Sequence, residues 1–216
     1  MTTRALTDGE IALAKEIYGD SIEYSDVKVH SDRYYIFQSK GLSMSPNGEL
    51  YMYGTYLDDF SKGSALQRAL FIHEMGHVWQ IQNKVLNLVE AAVDIHLKNS
   101  FNYKSGYYYT LEKGKDLTEY NMEQQASIIE DYFVLKHEKL RSYKGVCRNE
   151  EPLDARIALY ESVLEKFLAD PAYARRENYF QRPRRIQPET PSPAAKDSQP
   201  RILKLPKWLK KKPPGL

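Results

Sequence analysis

Apolar positions in this chain recur first at mixed periods and then at a helical one, and the change divides the expected elements. Thr7-Asp8-Gly9-Glu10 has the spacing of a capping box, in which a Thr hydroxyl and a Glu carboxylate reach the free amides at a helix start. Ile11, Ala14, Ile17 and Tyr18 then share one face, and Gly19 ends the helix. Val27-Lys28-Val29-His30 alternates like a strand. Residues 34–38 are a second strand candidate, and residues 50–53, after the turn signal Ser45-Pro46-Asn47-Gly48, are a third. From residue 64 the period is helical. Residues 64–82 hold no proline, and Ala65, Leu66, Ala69, Leu70, Ile72 and Met75 cover most of the circumference, as in a buried helix. Residues 86–98, 121–138 and 153–168 are further helix candidates, the last bracketed by Pro152 and Asp170-Pro171. The tyrosine-rich stretch 103–110 fits strand or loop.

After about residue 181 the periodicity is lost. Eight of the eleven prolines fall in residues 181–216, mixed with Ser, Gln and Lys. Such a segment buries too little apolar surface to offset its ordering entropy, so it is expected to be a disordered tail behind a folded domain of residues 1–180. The tail carries ten Lys/Arg against two Asp/Glu, which leaves 21 against 27 in the domain. The net charge of +2 therefore conceals an acidic body, with nothing in it resembling a phosphate-binding surface. Residues 203–212, where lysines alternate with Leu and Trp208, suit anionic lipid, nucleic acid or an acidic partner, or serve as a solubilising tail.

Three features narrow the chemistry. Cys147 is the single cysteine, which excludes an intramolecular disulfide and a cysteine-based zinc cluster; a metal would be held by His and carboxylates. The first eight residues hold no apolar signal core, so export, if it occurs, is expected to need a specialised machine. The apolar run at 86–97 is interrupted by Asn87, Glu90 and Asp94, too polar for a membrane span.

The strongest motif is His73-Glu74-Met75-Gly76-His77. Histidines four apart on a helix project from one face and can grip one Zn2+ at about 2.0–2.1 Å. Glu74, beside the first of them, is placed to act as general base on a water that zinc acidifies to a pKa of about 7. Gly76 bares the helix for a substrate or a neighbouring backbone. The bland reading, two packed histidines, has to leave polar groups unpaired in the most apolar helix, at several kcal/mol each. A catalytic site needs a third ligand. Glu90, Asp94, His96, Glu112, Glu119, Glu123, Glu130, Asp131 and His137 are the candidates. Glu123 is the first choice because Glu123-Gln124-Gln125-Ala126 opens an amphipathic helix; Glu130 and Asp131 come next, or orient a ligand histidine. The residues alone leave this open.

Phe71-Ile72-His73-Glu74-Met75-Gly76-His77-Val78-Trp79-Gln80, taken with Tyr120-Asn121-Met122-Glu123-Gln124-Gln125-Ala126, resembles the small bacterial vgr-related and Rhs-associated zinc metallopeptidases, akin to the larger DUF4157 group. Arg4-Ala5-Leu6-Thr7, Val29-His30, Asn47-Gly48 and residues 56–60 extend the match over about residues 4–135. The resemblance implies Glu123 as third ligand, and a link to type VI secretion or polymorphic toxins. Tyr107 and Tyr109 stand where that family has Tyr-x-Tyr, which implies that a phenol, assigned to Tyr109, donates to the developing oxyanion; a packed strand tyrosine is the plain alternative.

The expected fold is thus α+β, mainly helical and zincin-like of the gluzincin type, with a small N-terminal antiparallel sheet on the motif helix. The expected function is peptide or amide hydrolysis, with a protein or a peptidoglycan stem peptide as substrate and type VI secretion components as partners. The alternative is a secretion-associated binding or adaptor protein with a structural zinc site. His30 is expected to be structural, His96 and His137 to face solvent, Trp79 and Gln80 to pack or support ligands, and Cys147 to be inert.

Overall fold

The capping box at Thr7 forms as its spacing predicts. Thr7 Oγ1 accepts from the Glu10 amide at 3.1 Å and Glu10 Oε2 accepts from the Thr7 amide at 2.9 Å, starting helix α1, Asp8–Tyr18. Glu10 is buried, and its charge is met by a two-pronged contact from Arg4 at 2.7 and 2.8 Å and by the Phe60 amide at 2.8 Å. The distant segments 4–7 and 56–60 therefore meet at one carboxylate. A computed structural model describes residues 2–85 and 106–176, all within a unit running from Met1 to Tyr179. The helix candidate at 86–98, the first part of the tyrosine-rich stretch and the basic tail lie outside the described residues.

The architecture is α+β and mainly helical. Strands β1 (Thr3–Ala5), β2 (Lys28–His30) and β3 (Leu50–Tyr51) form a three-stranded sheet in that order. β1 and β2 run antiparallel with Arg4 opposite Val29, whereas β2 and β3 run parallel with Val29 opposite Leu50. The sheet is therefore mixed, not antiparallel as expected: residues 31–49 carry the chain back so that β3 enters alongside β2 in the same direction. Residues 34–38 are not a strand. The Gln38 side chain is buried, accepts from the Tyr34 amide at 2.6 Å and donates to the Leu42 carbonyl at 2.6 Å, folding the segment into turns with Ile36 and Phe37 at 72% and 83% exposure. β-forming residue types without a pairing partner gave the wrong reading there.

Two long helices form the centre. α2, Ala65–Gln82, is capped by Ser64 and Gln67, and residues 71–80 are buried without interruption. α3, Met122–Lys136, is capped by Asn121, whose side chain accepts from the Gln124 amide at 2.9 Å. The two helices pack on each other. A Cβ at Gly76 would stand 3.3 Å from Ala126 Cβ and 3.2 Å from Tyr18 Oη, so the bare surface at Gly76 admits the neighbouring helix. Tyr18 braces the same turn by donating to the Ile72 carbonyl at 2.7 Å.

The single helix expected at 153–168 is two. α4, Leu153–Val163, and α5, Glu165–Ala169, are separated at Leu164, where the backbone turns to φ −91°, ψ 3° and the side chain is buried. The break drives Phe167 edge-on into Trp79 and Tyr18. Trp79 Nε1 donates to the Pro171 carbonyl at 2.7 Å, so Trp79 is a packing residue that ties α2 to the segment after α5.

Candidate metal centre

Close approach of α2 and α3 at Gly76 and Ala126 decides what happens one turn to either side. His73 and His77 leave α2 on the face turned to α3, with ring centroids 5.0 Å apart. Glu123, three residues before Ala126, leaves α3 toward them. Its Oε2 lies 3.4 Å from His73 Nε2 and 3.2 Å from His77 Nε2, and all three side chains are buried. The three ligand atoms lie within 4.8 Å of one another, a spacing a single cation can bridge.

The outward nitrogens of both rings are also engaged. His73 Nδ1 is 3.0 Å from Glu130 Oε2, on the same face of α3 two turns beyond Glu123. An ionised carboxylate only accepts, so Nδ1 is the donor and Nε2 faces Glu123. His77 Nδ1 lies 2.9 Å from Gln80 Oε1. Burial works to lower the His73 pKa, yet Glu123 and Glu130 outweigh it and hold the value well above the ordinary imidazole range. Positive charge is favoured at this point of the molecule.

Glu74 is buried beside His73, and its Oε2 accepts from Ser45 Oγ at 2.8 Å. Ser45 belongs to the stretch read from sequence only as a turn signal; nothing in its local pattern shows the long-range contact. Glu74 is thus held in place, with Oε1 not engaged by Ser45.

The remaining third-ligand candidates go elsewhere. Glu112 pairs with Lys115 at 2.8 Å, Glu119 accepts from the Asp116 amide at 2.7 Å, and His137 stacks on Phe133 with Glu16 at 3.3 Å. Glu90, Asp94 and His96 lie outside the described residues. Asp131 turns to Tyr109, whose phenol donates to Asp131 Oδ2 at 2.5 Å and lies 2.7 Å from Tyr160 Oη. This corrects the placement of Tyr109 at the site: its hydroxyl is consumed by a buried carboxylate on another face of α3. Among the described residues, Tyr107 lies near the trio, its ring centroid 5.9 Å from that of His73. His30 is structural, between Thr3 Oγ1 at 3.0 Å and Glu49 at 2.9 Å, and stacked on Tyr51. Cys147 Sγ is 3.4 Å from Asn149 Oδ1, and burial raises its pKa, which suits an unreactive thiol.

A buried His-His-Glu trio with a fixed carboxylate beside it marks the chain as a small α+β domain whose central helices present three side chains that could hold a cation, and comparison places that domain in a family. The chain is similar to the solved effector domain of Pseudomonas aeruginosa VgrG2b: the likeness covers 76% of this chain and 81% of that domain, at 36% identity and a TM-score of 0.55. The chain belongs to the VgrG2b effector-domain family. Over 138 residues it is 45% identical to the type VI secretion system spike protein VgrG2b of the same organism, a match taking 62% of this chain and 13% of the spike protein, so the likeness is to one part of a much longer molecule. No family model matches the chain.

Proposed function

We propose that the chain is a zinc-dependent metallohydrolase, a peptidase of zincin-like type, acting as a type VI secretion effector. The observation that carries this reading is the convergence of His73, His77 and Glu123 with Glu74 held alongside. Two imidazoles and one carboxylate are a borderline-soft donor set suited to zinc, and three protein ligands are the number used by catalytic sites. Zinc bound there supplies Lewis acidity, which polarises a carbonyl and acidifies a water.

The chain's own residues do the rest. Glu74, steadied by Ser45, takes a proton from the attacking water and passes it to the leaving amine. Glu130 keeps His73 turned so that Nε2 faces the cation. Tyr107, whose ring lies beside that of His73, is the phenol we assign to steadying the developing oxyanion. The solved relative is the effector domain of a type VI secretion spike protein, and on that likeness we read this chain as delivered by such a system to a protein or peptidoglycan peptide.

The test uses the zinc-loaded chain on a random peptide library and on peptidoglycan stem peptides. Wild type is expected to cleave one of the two. Glu74→Gln is expected to keep zinc and lose roughly 10²–10⁴-fold in rate, the usual share of a general base. Equal cleavage by Glu74→Gln removes the mechanism. Zinc uptake with no cleavage of either probe by wild type favours the adaptor with a structural site.

A further inference from the structure

Glu123 and Ala126 bracket two glutamines that the mechanism does not use. Gln124 caps α3. Gln125 is buried and reaches back to α2. Its Nε2 donates to the Tyr120 carbonyl at 2.7 Å, and its Oε1 accepts from Gln80 Nε2 at 3.0 Å. Gln80 Nε2 also donates to the Met122 carbonyl at 2.9 Å, and Gln80 Oε1 meets His77 Nδ1 at 2.9 Å.

The direction of this chain of amides is dictated by its ends. An amide can be turned to exchange O and N, and a neutral imidazole carries its proton on either nitrogen. Backbone carbonyls only accept. The Tyr120 and Met122 carbonyls therefore require the NH₂ groups of Gln125 and Gln80, which leaves Gln80 with only its oxygen to offer His77. An oxygen there needs an N–H opposite, so Nδ1 carries the proton and the Nε2 lone pair points at Glu123.

From this we infer that Gln80 and Gln125 are positioning residues that set the tautomer of His77 and aim its Nε2 at the cation. Both anchoring carbonyls belong to the turn that delivers Glu123, so the third ligand and the orientation of the second are fixed by one short segment. The choice of a neutral amide also has a reason. His73 already has a carboxylate behind it, and with Glu74 and Glu123 the site holds three acidic groups. A fourth behind His77 would face the Met122 carbonyl and Gln125 Oε1 with no donor from either.

The inference rests on the zinc reading, and the experiment separates the two. Zinc affinity of the full chain is measured by competition with a chelator, and ¹⁵N spectra of labelled histidine are recorded on the zinc-loaded wild type. His77 is expected to show a protonated Nδ1 and a metal-ligated Nε2. Gln80→Leu is expected to bind zinc about 10–100-fold more weakly, the usual cost of losing an orienting partner. Gln125→Leu is expected to weaken binding less, because the Met122 carbonyl still holds Gln80. Zinc on Nδ1 overturns the inference alone. So do affinities of both variants within about twofold of wild type, well short of the roughly tenfold that losing an orienting partner costs at least. A wild type that takes up no zinc overturns it together with the peptidase reading. If Gln80→Leu does not fold, the wild-type spectrum still decides.

Discussion

Glu130 and Asp131 are consecutive on α3, yet one backs an imidazole and the other is enclosed by phenols. Glu130, a quarter exposed at its side chain, accepts from His73 and with Glu123 raises the pKa of that ring. Asp131 is buried and accepts from Tyr109 and, at 3.2 Å, from the Val146 amide. Burial first, and the charge of Glu130 second, push its pKa up to about 7 despite those hydrogen bonds. The difference lies in the partners. Imidazoles can exchange a proton for a metal and keep their geometry, whereas phenols and an amide fix a carboxyl group without leaving a place for a cation. One face of α3 contributes to the trio that could hold a cation, the next locks the helix to the segment that follows it.

Substitutions on the locking face should therefore change stability and leave zinc affinity alone. The largest effect that does not depend on pH is expected at Gly145, where φ is +54° and an added Cβ would overlap the Asp131 carboxylate. Gly145→Ala is expected to cost roughly 3 kcal/mol in urea unfolding, from backbone strain plus overpacking. Its zinc affinity should stay within about threefold, since separated sites add independently. A loss under about 1 kcal/mol, small beside either contribution, or a parallel loss of zinc would merge the two faces into one unit.

A pH-dependent effect is expected at Asp131. Its folded pKa lies above the unfolded value of about 3.8, so the native state favours the neutral acid. That stability is fully present below about pH 4 and is lost as pH rises through about 7, with a total on the order of 4 kcal/mol by linkage. Asp131→Asn keeps an acceptor for Tyr109 and Val146 and cannot ionise. Thermal melts from pH 4 to 8 should show a flatter profile for the variant than for wild type; identical profiles would mean Asp131 does not titrate in that window.

Much of the candidate metal face was legible in the sequence because local geometry writes it. Four-residue spacing puts His73 and His77 on one face of any helix, the capping box at Thr7 marks where the first helix starts, helical periodicity marks the two central ones, and Gly76 announces a close approach. The residues alone left nine candidates for the third ligand, with Glu123 first among them for opening an amphipathic helix, and the resemblance strengthened that choice. What failed depends on distant partners. The parallel pairing of β2 with β3 is set by a long loop, and residues 34–38 are bent by one buried glutamine. Tyr107 and Tyr109 are alike in type and spacing, and only Asp131 and Tyr160, contributed by other elements, decide which phenol turns away from His73. The link that orients His77 runs from Gln80 to Gln125 across 45 residues, beyond any local pattern.

The central claim is that α2 and α3 together hold one cation through His73, His77 and Glu123. It is tested most directly by zinc content after dialysis against buffered zinc, in wild type and in Glu123→Ala. About one zinc per wild-type chain is predicted, as three protein ligands specify a single ion, with a severe loss in the variant. Equal zinc in the two proteins would contradict the account.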